Sequence, residues 1–469
     1  MSAGAYRLLI GGKLVKGETS AEVIDPATAK ILAMAPRASA AQVESAVAAA
    51  ARAFRGWSTR SHEEREAAQR ALADALERHA EEFARLLTQE QGKPLAESSG
   101  EVAGAVAGLR AFGAMRPEMK VLRQSAREKI LETRKPLGVV AAIVPWNYPL
   151  MLMVMKIGPG LVTGNTFVVK PAPTTPLATL KFGELAKEIL PPGVLNVVSM
   201  DDELAAALAA HPQVVKVSLT GSTATGRKVM AGVAGTLKRL TLELGGNDAA
   251  IVLDDADIKT VAPQIYASAM SNAGQICTAT KRVYAPASLY RPLCDELARI
   301  AGTAVVGNGL EAGVTMGPVQ NRKQFDRVRA LINEARDEGT VIASGRVADE
   351  DGYYIRPTIV VNIPDTARLV REEQFGPVLP VLEYDDLADA IARVNGTEYG
   401  LAGSVWTSNV QRGLEVAAEI DAGTVWVNKF LEVPFDIPFR GSKQSGLGGE
   451  NGDEAMAAYT QAKIINTAL

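Results

Sequence analysis

Thiol and imidazole are scarce in this chain, whose 469 residues hold two cysteines and three histidines. Two cysteines cannot build a disulfide framework, and no CxxC or HExxH spacing offers ligands to zinc, so no metal is expected. An excess of one charge is also missing. The formal net charge is -3, which provides no basic face for nucleic acid, and no block of like charge reads as a tail. No apolar run approaches the roughly 18 residues of a membrane span. The N-terminal "MSAGAYRLLIGGKLVKGE" lacks an apolar core followed by a small-residue cleavage site. A cytoplasmic location is therefore the expectation. What is present is an ordinary globular composition, 47% hydrophobic and 22% charged, in a chain long enough for two to four units of about 100–200 residues.

From Ala40 to about Gly92 apolar residues recur at helical spacing ("AAQVESAVAAAARAFRGW", "EREAAQRALADALERHAEEFARLL") and predict amphipathic helices. From Leu137 the texture changes to short β-branched runs, "LGVVAAIVP", "NTFVVKP", "GVLNVVSM" and "VVKVSLTG", separated by helical stretches. Such alternation predicts a parallel sheet with crossover helices, and ligands at its strand ends. A second alternation from about Asn247 to Val427 predicts a second α/β unit. The last segment, "YTQAKIINTAL" from Tyr459, is too short to fold alone and is expected to pair as a strand with another chain or another domain.

Three local patterns can carry chemistry. In "SLTGSTATGRKVM" a strand runs into Gly221, Ser222 and Gly226 and then into a helix. Glycine-permitted backbone at a helix N-terminus suits a phosphate, although an ordinary strand-to-helix turn has the same look. Glu243 closes the apolar strand of "LTLELGGN". Partial desolvation there raises a carboxylate toward the range of a general base; the alternative is a carboxylate tied to backbone amides. Cys277 follows a glycine turn in "NAGQICT", where backbone amides can approach the sulfur and lower its pKa, while a buried packing role remains the other reading. Cys294, in "RPLCDELARI", reads as a small hydrophobe in a helix interface. The aspartates Asp254, Asp255 and Asp257 read as a solvated helix start rather than a metal site. None of His62, His79 and His211 looks like a partner for Cys277, which weakens a cysteine hydrolase and moves the role of base to Glu243.

Taken in order, "PWNYPL", "GNTFVVKPAPTTPL", "LTGSTATG", "LELGGN", "NAGQICT", "EEQFGPVLPV" and "PFRGSKQSGLGGENG" resemble the non-phosphorylating aldehyde dehydrogenase superfamily over essentially the whole chain. The resemblance implies an α/β fold: a Rossmann-like NAD(P)-binding domain (1–114 and 136–245), an α/β catalytic domain (246–445), and a strand extension (115–135 and 446–469) that joins subunits into a homodimer or homotetramer. It also implies NAD(P)-dependent oxidation of a small-molecule aldehyde to the acid. Cys277 would be the nucleophile, passing through a thiohemiacetal and a thioester. Asn147 would donate to the oxyanion, Glu243 would activate the hydrolytic water, and Lys156 and Glu450 would relay protons. For the cofactor, Lys170 matches the lysine at the adenosine ribose, and Ser222, with Gly221 and Gly226, the pyrophosphate side. Glu373 and Phe375 match the nicotinamide-ribose side, bordered by Trp146, Leu244 and Gly245.

The same resemblance gives the aldehyde a wall of Tyr148, Leu152 and Met155, flanked by Ile276 and Thr278 beside the nucleophile and by Val433 and Phe439 from the loop "VNKFLEVPFDIPF". Two positions depart from the family pattern. Pro173 stands where many NAD-preferring members carry a glutamate that bonds the ribose hydroxyls; with no extra cation in "KPAPTTPL", NAD is favoured and NADP is possible. Arg440 stands where glycine is usual and could receive a substrate carboxylate, face solvent or meet an adjoining chain, whereas the nearby Glu432 and Asp436 would suit an amino-aldehyde. A coenzyme A-acylating dehydrogenase is the nearest enzymatic rival. A cysteine hydrolase and a non-catalytic structural role are rivals of other classes.

Overall fold

Ser39 and Ser61 each open a helix by the same device. The serine hydroxyl accepts the backbone N–H of Gln42 or Glu64, whose side chain in turn accepts the serine N–H. These capping boxes satisfy N–H groups that a helix start otherwise leaves unpaired, and they begin α1 (Ala40–Ser58) and α2 (His62–Arg78). On α1 the stripe Val43, Ala46, Val47, Ala50 and Trp57 is buried, as an amphipathic spacing demands. Two further helices come next, α3 (Ala80–Gln91) and α4 (Leu95–Ala114), and then α5 (Pro149–Val162), which is apolar on nearly every face and almost wholly buried. The computed structural model describes residues 6–117, 119–343, 345–347 and 351–469.

Among the described residues the first sheet has eight strands, in the order Lys13–Val15, Leu8–Ile10, Leu195–Val197, Thr166–Lys170, Val139–Ile143, Val214–Thr220, Arg239–Glu243 and Gly446–Leu447. Its five central strands are parallel, and Val139–Ile143 lies between Thr166–Lys170 and Val214–Thr220. At this reversal of direction the connections leave to opposite sides of the sheet, which opens a crevice at the strands' carboxyl ends. Helices α6 (Leu177–Lys187), α7 (Asp202–Ala210) and α8 (Thr223–Val233) are among the connections.

A second sheet of seven strands runs Thr340–Ala343, Thr358–Val361, Val378–Tyr384, Arg282–Pro286, Ala249–Val252, Ala402–Trp406 and Thr424–Val427. It is parallel except for its first strand. The terminal strand Thr460–Ala468 pairs along its whole length with Glu128–Pro136 of the same chain, which also pairs with Lys120–Gln124. Within the chain its partner is therefore the segment Glu128–Pro136, and it forms the edge of that sheet. The segment from 446 is also divided: Gly446–Leu447 closes the edge of the first sheet beside Glu243, and Thr460–Ala468 belongs to the three-stranded sheet. No helix among the described residues is long and apolar enough to cross a membrane.

Candidate active site

The stretch before Cys277 is held in a conformation that few side chains choose. Asn272, Ala273 and Gly274 all take positive φ, at 49°, 53° and 72°. A Cβ on Gly274 would lie 2.3 Å from the carbonyl oxygen of Gly376, so glycine is required there by backbone angle and by space together. The cost of two left-handed non-glycine residues, about 1–2 kcal/mol each, is offset by a buried hydrogen-bond set. Gln91 Nε2 donates to Asn272 Oδ1 (2.8 Å), Asn272 N–H to Glu97 (2.9 Å), Gln275 Nε2 to Asn272 O (2.8 Å), and Gln320 N–H to Gln275 Oε1 (2.8 Å). This is what the Gly-Gln turn does: it aims the chain so that half-buried Cys277 emerges beside Asn147, whose Nδ2 donates to Gln275 O at 3.0 Å.

Beneath the turn, buried Lys281 donates to the carbonyls of Ile276 (2.7 Å), Ala279 (3.0 Å) and Cys277 (3.1 Å). The glycine turn in the sequence predicts a lowered thiol pKa at Cys277, and the structure corrects this. Burial pushes the thiol up to about 12, Lys281 pulls it down, and Asp248, Glu373 and Glu243 push it up again. Desolvation and three carboxylates outweigh one cation.

Glu243 ends its strand beside the crevice, and both carboxylate oxygens are buried without a hydrogen-bond partner among the described residues. Burial holds its pKa well above the usual carboxylate range; Glu450 raises it further and Lys156 opposes. The alternative of a carboxylate tied to backbone amides is thereby removed. From α5, Lys156 Nζ donates to Glu450 Oε1 (2.6 Å) and to Thr220 Oγ1 (2.7 Å). The Glu243 carbonyl accepts the Gly221 N–H at 3.0 Å, which binds the carboxylate's strand to the start of the serine-glycine turn. The three histidines pair with Glu66, Glu82 and Glu44, so none serves Cys277.

At that turn Ser222 caps α8, its Oγ accepting the Thr225 N–H at 3.2 Å. Gly226 lies within α8, not in the turn, and a Cβ there would sit 2.6 Å from Leu244; its role is helix-to-strand packing rather than room for a phosphate. Lys170 borders a cavity of about 400 Å³ lined also by Ala205, Ala209, Thr225 and Val229. Farther along, Glu373 accepts the Gly246 N–H at 3.0 Å over Gly245. Trp146 and Phe375 meet edge-on with ring centroids 5.3 Å apart, and Phe375 is itself held at φ 52°.

The model of the aldehyde dehydrogenase family matches residues 14–465. The chain belongs to this family. Curated relatives include the phenylacetaldehyde dehydrogenase of Pseudomonas fluorescens, 39% identical over 98% of this chain and 95% of that one. The betaine aldehyde dehydrogenase of Cereibacter sphaeroides is 37% identical over 97% and 96%. Among solved structures, betaine aldehyde dehydrogenase from Staphylococcus aureus in complex with NAD+ superposes with a TM-score of 0.95 at 31% identity, over 99% of this chain and 94% of that one. An NADP-dependent enzyme of E. coli gives 0.95 at 34%, over 99% and 98%. Like its family, this aldehyde dehydrogenase oxidises aldehydes to carboxylic acids.

The residues matched to the aldehyde wall of this dehydrogenase divide into two groups. Met155, Ile276, Thr278 and Phe439 are buried, while Tyr148, Leu152 and Val433 are half-buried. Thr278 faces Trp426 and Phe430, and Phe430 packs on the core of the second sheet. Arg440 does not stand free for a substrate carboxylate: it is ion-paired with Glu454 of the helix Gly452–Ala458. Glu432 is likewise taken, by Lys429 at 2.9 Å. The aspartate run is exposed and does open a helix: Asp257 caps Ile258–Met270, Asp255 accepts from Thr407, Ser408 and Asn409, and Asp254 pairs with Arg412.

Sequence reasoning missed Lys93 and Glu101. Buried Lys93 Nζ donates to the Asn147 carbonyl (2.8 Å) and to Glu101 (2.6 Å), and lies 3.4 Å above the Tyr148 ring. Glu101 accepts the N–H groups of Leu150 and Met151 at the start of α5. No local pattern in "QGKPLAESSGEV" links these residues to Asn147, because the link exists only once α4 packs on α5.

Proposed function

We propose that this aldehyde dehydrogenase uses NAD and works through a cysteine thioester, with Cys277 as nucleophile and Glu243 as the base of hydrolysis. The observation that carries the reading is the Glu243 carboxylate, buried with both oxygens unpartnered among the described residues. Such an arrangement is costly for folding alone and suits a group that must take a proton from water.

The residues fit a dinucleotide. The cavity of Lys170, Ala205, Ala209 and Val229 matches an adenosine in size and apolar lining. Ser222 at the N-terminus of α8 suits a pyrophosphate, and buried Glu373 with Phe375 and Trp146 suits the nicotinamide ribose and ring. What a bound nicotinamide supplies is a hydride acceptor; on the protein side that step leaves a thioester on Cys277. Before it, the Cys277 thiol gives its proton to site water and Sγ bonds to the aldehyde carbon as the C=O π pair moves onto oxygen, where Asn147 Nδ2 and the Cys277 N–H meet the charge. After it, Glu243 takes a proton from water, the water oxygen attacks the thioester, and the acid departs with Cys277 restored. The bonds of Lys156 to Thr220 and Glu450 support reading it as the group that carries the proton onward.

The substrate we propose is a neutral aliphatic or aromatic aldehyde. With Arg440 engaged by Glu454 and Glu432 by Lys429, the apolar wall of Tyr148, Leu152, Met155 and Phe439 is left to select. The division into an NAD(P)-binding domain (1–114 and 136–245), a catalytic domain (246–445) and an oligomerisation extension belongs to the same reading. The exposed Ile464 and Ile465 on the edge strand Thr460–Ala468 support association into a homodimer or homotetramer, and two unpaired cysteines fit a reducing cytoplasm. The test is reduced-nicotinamide absorbance with NAD against neutral, acidic and amino-aldehydes, with Cys277→Ala as control. Cysteine-dependent reduction with neutral aldehydes preferred is the expected result; reduction that survives in Cys277→Ala would remove the assignment.

A further inference from the structure

Lys93 stands in the link 92–94 between α3 and α4, with its side chain shut away from solvent. Burying an ammonium is costly unless its protons find partners. Nζ donates to Glu101 Oε2 at 2.6 Å and to the Asn147 carbonyl at 2.8 Å. It also lies 3.4 Å from the centre of the Tyr148 ring, a cation–π contact. Asn147 and Tyr148 are thus tied to one charge.

Glu101 holds the same segment from the other side. The helix α5 opens at Tyr148, whose side chain makes no cap, and a helix start leaves its first N–H groups in need of acceptors. Glu101 Oε1 accepts two of them, from Leu150 at 2.9 Å and from Met151 at 3.2 Å. The turn that carries the nucleophile is held by the same helix, because Glu97 of α4 accepts the Asn272 N–H at 2.9 Å. Asn272 Nδ2 in turn donates to the Asn147 carbonyl at 3.2 Å and to the Gln275 carbonyl at 3.3 Å. The Asn147 carbonyl therefore receives Lys93 and Asn272 together.

A buried ion pair adds little to stability over apolar residues of the same volume; what this one provides is a fixed direction. The Asn147 amide nitrogen has two N–H groups. One is committed to the Gln275 carbonyl at 3.0 Å, and the amide is planar, so the second points wherever the Asn147 backbone is set. A misplacement of about 1 Å at a reacting centre is enough to cost about a hundredfold in rate. We propose that Lys93, held by Glu101, is a positioning residue for the first chemical step: its bond to the Asn147 carbonyl keeps the second amide N–H of Asn147 in register with the Cys277 N–H, so that both meet the same oxyanion. The inference rests on the reading of Asn147 as an oxyanion donor given above, and adds to it two residues that act through Asn147 and not on the aldehyde.

Rapid mixing of the full-length enzyme and NAD with a neutral aldehyde reads the rate of the first turnover, before hydrolysis enters. Lys93→Met should slow it by about ten- to a hundredfold, while the aldehyde concentration at half-maximal rate and the dissociation constant of NAD change by less than about threefold. Because Lys93→Met strands Glu101, its companion combines Lys93→Met with Glu101→Gln, which removes both charges and leaves an acceptor for Leu150 and Met151. This enzyme should melt within about 5 °C of wild type and still be slow. Lys93→Arg, which keeps a donor, should recover part of the rate. Asn147→Ala supplies the background that separates positioning from support of the fold. On its own it should lower the first-turnover rate by about 100- to 1000-fold, and adding the Lys93 and Glu101 changes to it should cost less than about threefold more, since a positioning residue has no effect once the group it positions is gone. Losses that multiply in full, or a stable Lys93→Met, Glu101→Gln enzyme with the wild-type first-turnover rate, would overturn the proposal while leaving the cysteine chemistry intact. A wild-type rate in Asn147→Ala would instead bring down the reading of Asn147 as an oxyanion donor.

Discussion

Lys156 Nζ stands 2.6 Å from Glu450 Oε1 with both side chains shut away from solvent, although 294 positions separate them in the chain. A buried pair adds little to stability over an apolar substitute, but losing one partner strands the other charge in a low dielectric. Lys156→Met should therefore destabilise by about 3–5 kcal/mol, read as a shift in the urea midpoint. Glu450→Gln keeps a hydrogen-bond acceptor for Lys156 but removes its countercharge, and should destabilise by a comparable amount. Its effect on turnover belongs to the hydrolytic half of the reaction, where a slowed approach to steady state with an unchanged first-turnover burst is the expected signature. Equal slowing of burst and steady state would show that the pair only supports the fold.

Glu243→Gln isolates the base. The first turnover should proceed and then stall, giving one equivalent of reduced cofactor and an acylated Cys277 visible by mass spectrometry of the intact chain. Stability carries an independent signature. An ordinary glutamate titrates near 4.5, and burial moves Glu243 well above that. Between those two values the folded chain holds a proton that the unfolded chain has lost, so the free energy of unfolding falls as pH rises. Glutamine has no such slope. The melting temperature of the variant should gain on wild type as pH rises above about 5; parallel curves would mean that Glu243 titrates normally.

Cys277 without cofactor should behave as a reluctant thiol. With burial pushing it up to about 12, the rate of carbamidomethylation should climb with roughly unit slope in log rate against pH from about 7 to 10, with no plateau near neutrality. Lys281→Met removes the cation that opposes this shift and releases three carbonyls, so it should slow alkylation at every pH in that range. Lys281→Arg should restore most of the rate. A plateau below about pH 8 in wild type would show that the site stabilises the thiolate before the nicotinamide arrives.

How far the sequence reached depends on which forces are local. The helical spacing from Ala40 to about Gly92, the β-branched strands and the ends of the second alternation are written in nearest neighbours, and they are legible in the sequence. So are the contiguous motifs that single out Asn147, Glu243 and Cys277 as candidate site residues. Three kinds of information are not. Lys93 meets Asn147 only after separate elements pack, and nothing in its flanking residues encodes it. Gly226 reads as a loop glycine until Leu244 is seen against it. The thiol pKa of Cys277 is set first by burial and then by Lys281 and by carboxylates from two other segments, Glu243 with Asp248 and Glu373, and the local backbone points the other way.

Arg440 offers the sharpest check on substrate choice. A cation next to Phe439 would select a carboxylate-bearing aldehyde only if its charge were available, and Glu454 has taken it. Arg440→Gly should then leave the ratio of kcat/KM for an acidic semialdehyde to that for a neutral aldehyde within about twofold of wild type. Both side chains are partly exposed, at 54% and 36%, so the lost pair should cost less than about 1 kcal/mol in stability. Glu454→Gln is the converse experiment. It frees Arg440, and it should raise kcat/KM for the acidic semialdehyde through a lower KM with kcat little changed, since binding of the distal charge is the same in ground and transition states. A large loss of acidic-aldehyde turnover in Arg440→Gly alone would mean that Arg440 exchanges Glu454 for the substrate, and the preference for neutral aldehydes would have to be abandoned.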